Sequence, residues 1–192
     1  MSGGPNEEIP VTAAHPLTIS PPDLEAVFRA HHARVLQAAY RVTGNAADAE
    51  DALQAVFLGL ARRNDSLPAV PEQAGAYLQR AGVNAALDLV RRRRREAETP
   101  LAEIEPLVAD ESGAQPDAGH RRRALAAWLR SALTRLPPQA AEAFALHFLE
   151  GKEHQEIADA MGTTRNNVAV LLHRARRQLR EEIAGPRPGE TP

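Results

Sequence analysis

Apolar residues recur at three- and four-residue steps along most of the chain, a spacing typical of helices. The first predicted helix starts at Pro21-Pro22-Asp23 and is broken by Gly44-Asn45. A third starts near Ala76 and continues through an arginine run, after a predicted loop from Asn64 to Gly75. The helix between them has the clearest apolar face, formed by Ala49, Ala52, Leu53, Val56, Phe57 and Leu60.

The second half of the chain shows the same spacing. One helix starts near His120 and is broken by Pro137-Pro138, and another extends from Gln139 to Leu149. Two further helices follow, over roughly Glu153 to Met161 and Thr164 to Ile183. No stretch alternates Val, Ile or Thr as a strand would, so we predict an all-α fold.

Three segments lack helical spacing and divide the chain into parts. Residues 1–22, 97–119 and 185–192 are rich in Pro, Gly and polar residues, so we expect a disordered arm, a flexible linker and a disordered tail. The blocks between them, 23–96 and 120–184, are the two predicted helical domains.

Charge follows the same division. Residues 26–96 and 120–184 each carry 11 Lys or Arg against 7 Asp or Glu, whereas the linker carries six acids and no bases. The formal net charge of −2 therefore conceals two basic blocks and an acidic connector. Such an arrangement indicates two modules that bind polyanions.

Composition excludes several classes of protein. The 192 residues include no cysteine, which excludes a disulfide framework, a thiolate zinc site and a cysteine nucleophile. No apolar run approaches the roughly 20 residues that a membrane span needs. The first 28 residues contain no Lys or Arg, so we expect no secretory signal and a soluble cytoplasmic protein.

The strongest local motif is a predicted helix-turn-helix. Ala158, Gly162 and Val168 supply the small contact residue, the corner glycine and the branched residue of that motif, and Thr164 is a suitable N-cap. An ordinary antiparallel helix pair with a glycine corner is the alternative. The first turn of the second helix carries Arg165, Asn166 and Asn167, which suit reading guanine and adenine.

Two further features indicate partners. Five adjacent arginines, Arg91 to Arg95, would repel one another, which favours a phosphate ligand over a solvated helix end. A second stripe on the helix with the clear apolar face mixes an acid, an amide and apolar residues. This stripe suits either a protein partner or bare solvent, and consists of Asp51, Gln54, Ala55 and Leu58.

Three segments resemble regions 2 and 4 of the extracytoplasmic-function (ECF) group of bacterial sigma factors. They are DAEDALQAVFLGL (residues 48–60), AYLQRAGVNAALDLVRRRRR (76–95) and the segment from LPPQ to RRQL (136–179). The sequence between them leaves no room for the middle domain of larger sigma factors. The resemblance implies a region 2 bundle and a region 4 helix-turn-helix, joined by the acidic linker.

The resemblance implies roles for particular residues. The segment 48–60 would dock on the clamp coiled coil of the largest polymerase subunit, through Asp48, Asp51, Gln54 and Leu58. The loop 64–75 and the helix after it would capture a flipped base of the minus-ten element. The implied minus-ten contacts are Tyr77, where a Trp is usual, Arg80, Asn84, Arg91 and Arg92. The implied minus-35 contacts are Arg165, Asn166, Asn167, His173, Arg174 and Arg176.

The chain departs from the family pattern at three positions. Ala169 and Leu171 stand where Lys and Arg are common, and Val83 replaces a frequent Arg. We expect these lost contacts to weaken minus-35 binding above all. The partners implied are core RNA polymerase, promoter DNA and an anti-sigma factor. The resemblance implies no enzyme activity, cofactor, metal or membrane insertion of the chain's own.

Two other functions remain open. Glu150, Glu153, Glu156 and Asp159 recur every three residues, and helical metal-dependent nucleotide hydrolases use carboxylates at such spacings. However, three-residue steps drift around a helix, which disfavours this interpretation. The stronger alternative is a stand-alone regulator that dimerises on palindromic sites through the same helix-turn-helix.

Overall fold

Seven α-helices and one π-helical turn make up the part of the chain that the computed structural model describes, residues 21–63, 71–97 and 118–184. These ranges contain no strand, which confirms the all-α prediction. The predicted arm (1–22), linker (97–119) and tail (185–192) lie outside the described residues, apart from residues 21–22, 97 and 118–119, which are helical. The helices are α1 (Pro21–Thr43), α2 (Ala46–Arg63), α3 (Pro71–Ala97), α4 (Ala118–Arg135), α5 (Pro138–Phe144), α6 (His154–Met161) and α7 (Arg165–Ala184).

The first three helices form an N-terminal bundle in which α1, α2 and α3 all contact one another. The apolar face predicted for α2 is buried throughout, which confirms that prediction. Gly82 lets α1 and α3 approach closely, because a Cβ there would lie 2.9 Å from Val35 Cγ1. One core cluster of this bundle consists of Val35, Leu53, Val56, Phe57, Leu60, Ala74 and Leu78.

The start of α3 differs from the prediction. The helix begins at Pro71, so residues 71–75 are helical and the predicted loop is wrong there. Residues 64–70 lie outside the described ranges. Proline is well suited to a first helical turn, where its missing N–H has no partner to lose, so Pro71 does not mark a loop.

Helices α4 to α7, with the π-helical turn Ala145–Leu149 directly after α5, make up what we call the C-terminal bundle, although α4 packs mainly against α3. Both α5 and α6 pack against α7. The predicted break at Pro137-Pro138 is confirmed, whereas the π-helical turn is a feature that the sequence did not predict.

The two bundles contact each other. Helix α3 lies against α4, α5, α6 and the π-helical turn, and α1 contacts the same turn. A large buried cluster contains side chains of both bundles, among them Val42 and Leu87 on one side and Leu133 and Ala140 on the other. Half of the buried members of this cluster are alanine, so small side chains dominate it.

Candidate nucleic-acid interface

Helices α6 and α7 form the predicted helix-turn-helix. Gly162 ends α6 with a φ of 63°, in the left-handed region where only glycine avoids a Cβ penalty. The Thr163 N–H donates to the Ala158 carbonyl at 2.9 Å, which closes the helix end. Ala158 and Val168 are fully buried at the helix contact, as the motif requires.

A capping box starts α6. The Glu153 N–H donates to Glu156 Oε2 at 2.8 Å, and Lys152 Nζ donates to Glu156 Oε1 at 3.0 Å. These hydrogen bonds, the backbone one first, lower the pKa of Glu156 below its ordinary value. The first helix of the motif is therefore fixed at its start by a charged side chain.

The first turn of α7 presents polar groups to solvent. Arg165, Asn166 and Asn167 are all exposed there. Thr164 Oγ1 accepts the Asn167 N–H at 3.2 Å, which is the predicted N-cap. The Asn167 side chain is also held, because Nδ2 donates to Thr163 Oγ1 at 2.9 Å.

Further along α7, His173, Arg174 and Arg176 are exposed. The Arg176 guanidinium lies 5.6 Å from the ring centroid of Phe148 in the π-helical turn, a cation–π contact. Leu171 is buried, and so is Val83 on α3. These two departures from the family pattern therefore remove no exposed contact group, contrary to our expectation, whereas Ala169 is exposed.

A groove of about 860 Å³ between α2 and α3 brings together two sets of predicted site residues. Its walls include predicted polymerase-docking residues from α2 and predicted minus-ten residues from α3. Leu58 is 52% exposed at this groove, a high value for a leucine. The predicted site residues that line it are Asp51, Gln54, Leu58, Tyr77, Asn84, Arg91 and Arg92.

Asp48, the remaining predicted docking residue, is not part of the groove lining. Its side chain is 8% exposed and pairs with Arg93. The pair joins the start of α2 to the end of α3.

The arginine run is partly occupied by contacts within the protein. Arg91 pairs with Asp88 at 3.3 Å, and Arg92 lies 3.7 Å from Glu96. Arg94 donates to Thr134 Oγ1 at 2.9 Å, a contact with α4.

Arg80 and Asn84 point to the C-terminal bundle. Arg80 Nε donates to Glu142 Oε1, and Asn84 Nδ2 donates to the same oxygen at 3.0 Å. Arg80 NH1 also donates to the carbonyl of Ala160 at 2.6 Å. Both predicted minus-ten residues are therefore hydrogen-bonded to helices of the other bundle.

A second carboxylate makes a similar contact nearby. The Glu150 side chain is fully buried, and its Oε2 accepts from Arg41 NH1 at 2.7 Å and from Gln79 Nε2 at 2.6 Å. The sequence analysis did not predict the hydrogen-bond partners of Glu142 and Glu150. For Glu142 the sequence did contain a signal, since it is the single acid within the apolar run AAEAFAL and a buried acid requires a partner.

The carboxylates of the hydrolase alternative have structural partners. Glu153 and Glu156 form the capping box, and Asp159 accepts from Gln155 at 2.9 Å. The rings of His147 and His154 are 5.1 Å apart, and His147 Nδ1 lies 2.8 Å from the Lys152 carbonyl. Within the described ranges, no group of three or more His, Cys, Asp or Glu could hold a metal ion.

A helix-turn-helix beside a second helical bundle defines a class of helical DNA-binding proteins, and comparisons with known proteins specify the family. Two family models match, Sigma-70 region 2 over residues 27–96 and Sigma-70, region 4 over residues 126–179. The chain belongs to the sigma-70 family, in its ECF group.

Two relatives agree with this assignment, and a solved structure has a similar fold. The ECF RNA polymerase sigma factor SigE of Mycolicibacterium smegmatis is 35% identical over 85% of this chain, which spans 62% of that protein. The RNA polymerase sigma-E factor of Streptomyces avermitilis is 31% identical over 84% of this chain and 85% of that protein. CnrH, solved in complex with the cytosolic domain of CnrY, shares the fold with a TM-score of 0.52 at 22% identity, over 86% of this chain and 90% of that one.

Every helix among the described residues is too short or too polar to span a membrane.

Proposed function

We propose that this protein directs promoter-specific transcription initiation by docking on core RNA polymerase, capturing the minus-ten element and reading the minus-35 element. Membership of the ECF group supports the general role. The observation that carries the detailed proposal is the division of chemistry between the bundles. One bundle has a polar and apolar groove, and the other has an exposed Arg-Asn-Asn edge at the start of a recognition helix.

The α2 wall of the groove is the proposed polymerase-docking surface. Leu58 is half-exposed beside the polar side chains of Asp51 and Gln54, a combination that favours a protein partner over bulk solvent. Asp48 contributes to docking indirectly, because its pair with Arg93 positions α2 against α3.

The α3 wall is the proposed minus-ten site. An extruded base is held by stacking on an aromatic ring and by hydrogen bonds to its edge, and Tyr77 and Asn84 offer those groups in one groove. Arg91 and Arg92 extend the groove with positive charge suited to the DNA backbone. Arg80 lies outside the lining, and both Arg80 and the Asn84 amide donate to Glu142, so both must be released from α5 before they can contact DNA.

The start of α7 is the proposed minus-35 reader. Arg165 suits guanine, and Asn166 and Asn167 suit adenine, in a duplex major groove. His173, Arg174 and Arg176 follow on exposed positions and suit the flanking phosphates. We also propose an anti-sigma factor as a protein partner, which rests on the family resemblance.

Transcription in vitro tests the proposal. Core polymerase, a pool of promoter-containing genomic fragments and the purified chain should together give starts at a limited set of sites, and core polymerase alone should give none of them. Protection of palindromic duplex sites by the chain without polymerase would instead favour the stand-alone regulator. Absence of both core binding and specific starts would overturn the proposed function.

A further inference from the structure

Helix α7 carries two sets of apolar side chains with different surroundings. One set faces the rest of the C-terminal bundle and is buried. It consists of Val168, Leu171, Leu172, Ala175 and Leu179. The other set is Ala169 and Val170, which we call the apolar pair. Both of its members are exposed, Val170 to 37%.

The fold does not require a valine at position 170. Val170 is two residues after Val168 and two before Leu172, so on a helix of 3.6 residues per turn its side chain points away from the core. A β-branched residue also has a lower helix propensity than alanine, lysine or arginine. A ligand therefore explains this exposed valine better than the stability of the helix does.

Polar side chains surround the apolar pair on the surface of α7. Asn166 and Asn167 lie one turn before Val170, and His173 and Arg174 lie one turn after it. All four are exposed. The apolar pair therefore lies at the centre of the face with which α7 would enter the major groove of DNA.

The major groove offers a matching ligand for such a pair. Guanine, adenine and cytosine present hydrogen-bond donors and acceptors there, whereas thymine also presents its C5-methyl group. The amides beside Val170 suit adenine, whose pairing partner is thymine. An apolar side chain between those amides is therefore suited to an element that contains A·T pairs.

We propose that Val170, with Ala169 beside it, reads the C5-methyl group of a thymine in the minus-35 element. The contact removes apolar surface of both groups from water and uses no hydrogen bond. The short side chain of Ala169 leaves space for Val170 to reach the base edge. This proposal rests on the proposed function, because it requires α7 to lie in the major groove.

Deoxyuridine tests the contact, because it lacks the methyl group of thymine and keeps its donors and acceptors. Holoenzyme containing the full chain first selects its preferred element from random upstream sequences. Each thymine of that element, on either strand, is then replaced singly by deoxyuridine. At one or two positions the parent holoenzyme should bind about fourfold more weakly, the effect of leaving one methyl group unburied.

Val170→Ala tests whether this valine makes the contact. Since Val170 is exposed and alanine favours helix, the variant should remain fully helical, which circular dichroism verifies. The weakening by deoxyuridine should fall to about twofold or less in this variant, because alanine offers less apolar area. Val170→Ile should retain it. The ratio of the two affinities isolates the contact, since any effect of deoxyuridine on the duplex itself is common to all variants.

Ile183→Ala is the matched control. Ile183 is 67% exposed near the far end of α7, beyond the residues proposed to contact DNA. Its truncation also removes exposed apolar area from the same helix. The effect of deoxyuridine should nevertheless equal that of the parent at every position.

Three results would overturn the proposal. One is equal binding of the thymine and deoxyuridine forms at every position, and another is a preferred element without thymine. The third is an effect of deoxyuridine that Val170→Ala leaves unchanged, which would assign the methyl contact to a different residue. Failure of the proposed function is separable, because the holoenzyme would then show no preference among upstream sequences and no specific starts.

Discussion

Asn167 is held by Thr163, whose hydroxyl accepts a hydrogen bond from the Asn167 side-chain amide at 2.9 Å. Thr163 stands in the turn before the recognition helix, and Asn167 points outwards from the first turn of that helix. A bidentate contact with adenine uses the amide oxygen and one amide hydrogen. The second amide hydrogen of Asn167 is donated to Thr163 Oγ1, so the amide oxygen and the first hydrogen remain available for a base. In the proposed reading of a base by Asn167, Thr163 would hold the side-chain amide in position.

Replacing Thr163 by Val should weaken discrimination at one base pair of the minus-35 element. The expected loss is about 0.5–1.5 kcal/mol, the net value of one hydrogen bond. Thr163→Ser, which retains the hydroxyl, should restore the preference. Holoenzyme binding to a library of upstream sequences measures both. Equal weakening on every sequence, or no rescue by Ser, would contradict the positioning role.

The α2 stripe can be tested by charge reversal. Asp51→Lys combined with Gln54→Ala should weaken binding to core polymerase by about tenfold or more, because charges that oppose a partner's potential are strongly unfavourable. Glu50→Lys is the matched control, since Glu50 is exposed on α2 but lines a different shallow groove with Tyr40. Co-purification with core polymerase gives the result. Unchanged assembly of the double variant at full helicity would remove the docking assignment.

The sequence predicted those features of the fold that repeat locally. The apolar face of α2 and the Ala158, Gly162 and Val168 constellation lie within one or two helices, so spacing alone identifies them. The start of α3 was placed five residues too late, because Pro71 was interpreted as part of a loop when it forms the first helical turn.

The contacts between the two bundles could not be predicted from the sequence. The side-chain hydrogen bonds of Glu142 and Glu150 with the N-terminal bundle join residues 58 to 109 positions apart, and spacing gives no signal over such separations. For the same reason, the family resemblance implied a DNA-binding role for Arg80 and Asn84 without indicating that both donate to Glu142. The burial of Leu171 was also unforeseen, although its spacing from Val168 and Ala175 places it on the apolar face of α7.

The proposed role of Asn84 in base capture can be tested in the holoenzyme. Asn84→Ala should slow open-complex formation on duplex promoters by about tenfold, the value of one well-formed hydrogen bond. A template already melted at the minus-ten element should restore the rate. Gln73→Ala is the control, because Gln73 is an exposed amide on α3 that does not line the groove between α2 and α3. Equal losses on duplex and pre-melted templates would argue against base capture.

The corner of the helix-turn-helix gives a prediction about stability. Gly162→Ala should lower the free energy of unfolding by about 1–2 kcal/mol, because a Cβ is disfavoured at a positive φ. No atom lies within 4 Å of a Cβ there, so crowding plays no part. Gly59→Ala has equally open surroundings within α2 and should stabilise by about 0.5–1 kcal/mol. Urea denaturation compares the pair, and effects of the same sign would refute the conformational explanation.

The capping box gives a prediction about pH. Hydrogen bonds from the Glu153 N–H and Lys152 hold the pKa of Glu156 below its ordinary value of 4.5. A lowered pKa in the folded state means that ionised Glu156 stabilises the fold fully above pH 4.5 and that this contribution is lost as the pH falls through the folded value.

Glu156→Gln should therefore lower the melting temperature near neutral pH, and the difference from the parent should shrink on acidification below that value. Glu181→Gln is the control, because Glu181 is exposed and lies 3.7 Å from Arg177 in its own helix. Thermal melting followed by circular dichroism at neutral and acidic pH measures both variants. A difference that stays constant with pH would mean that ionisation of Glu156 contributes nothing to the stability of the fold.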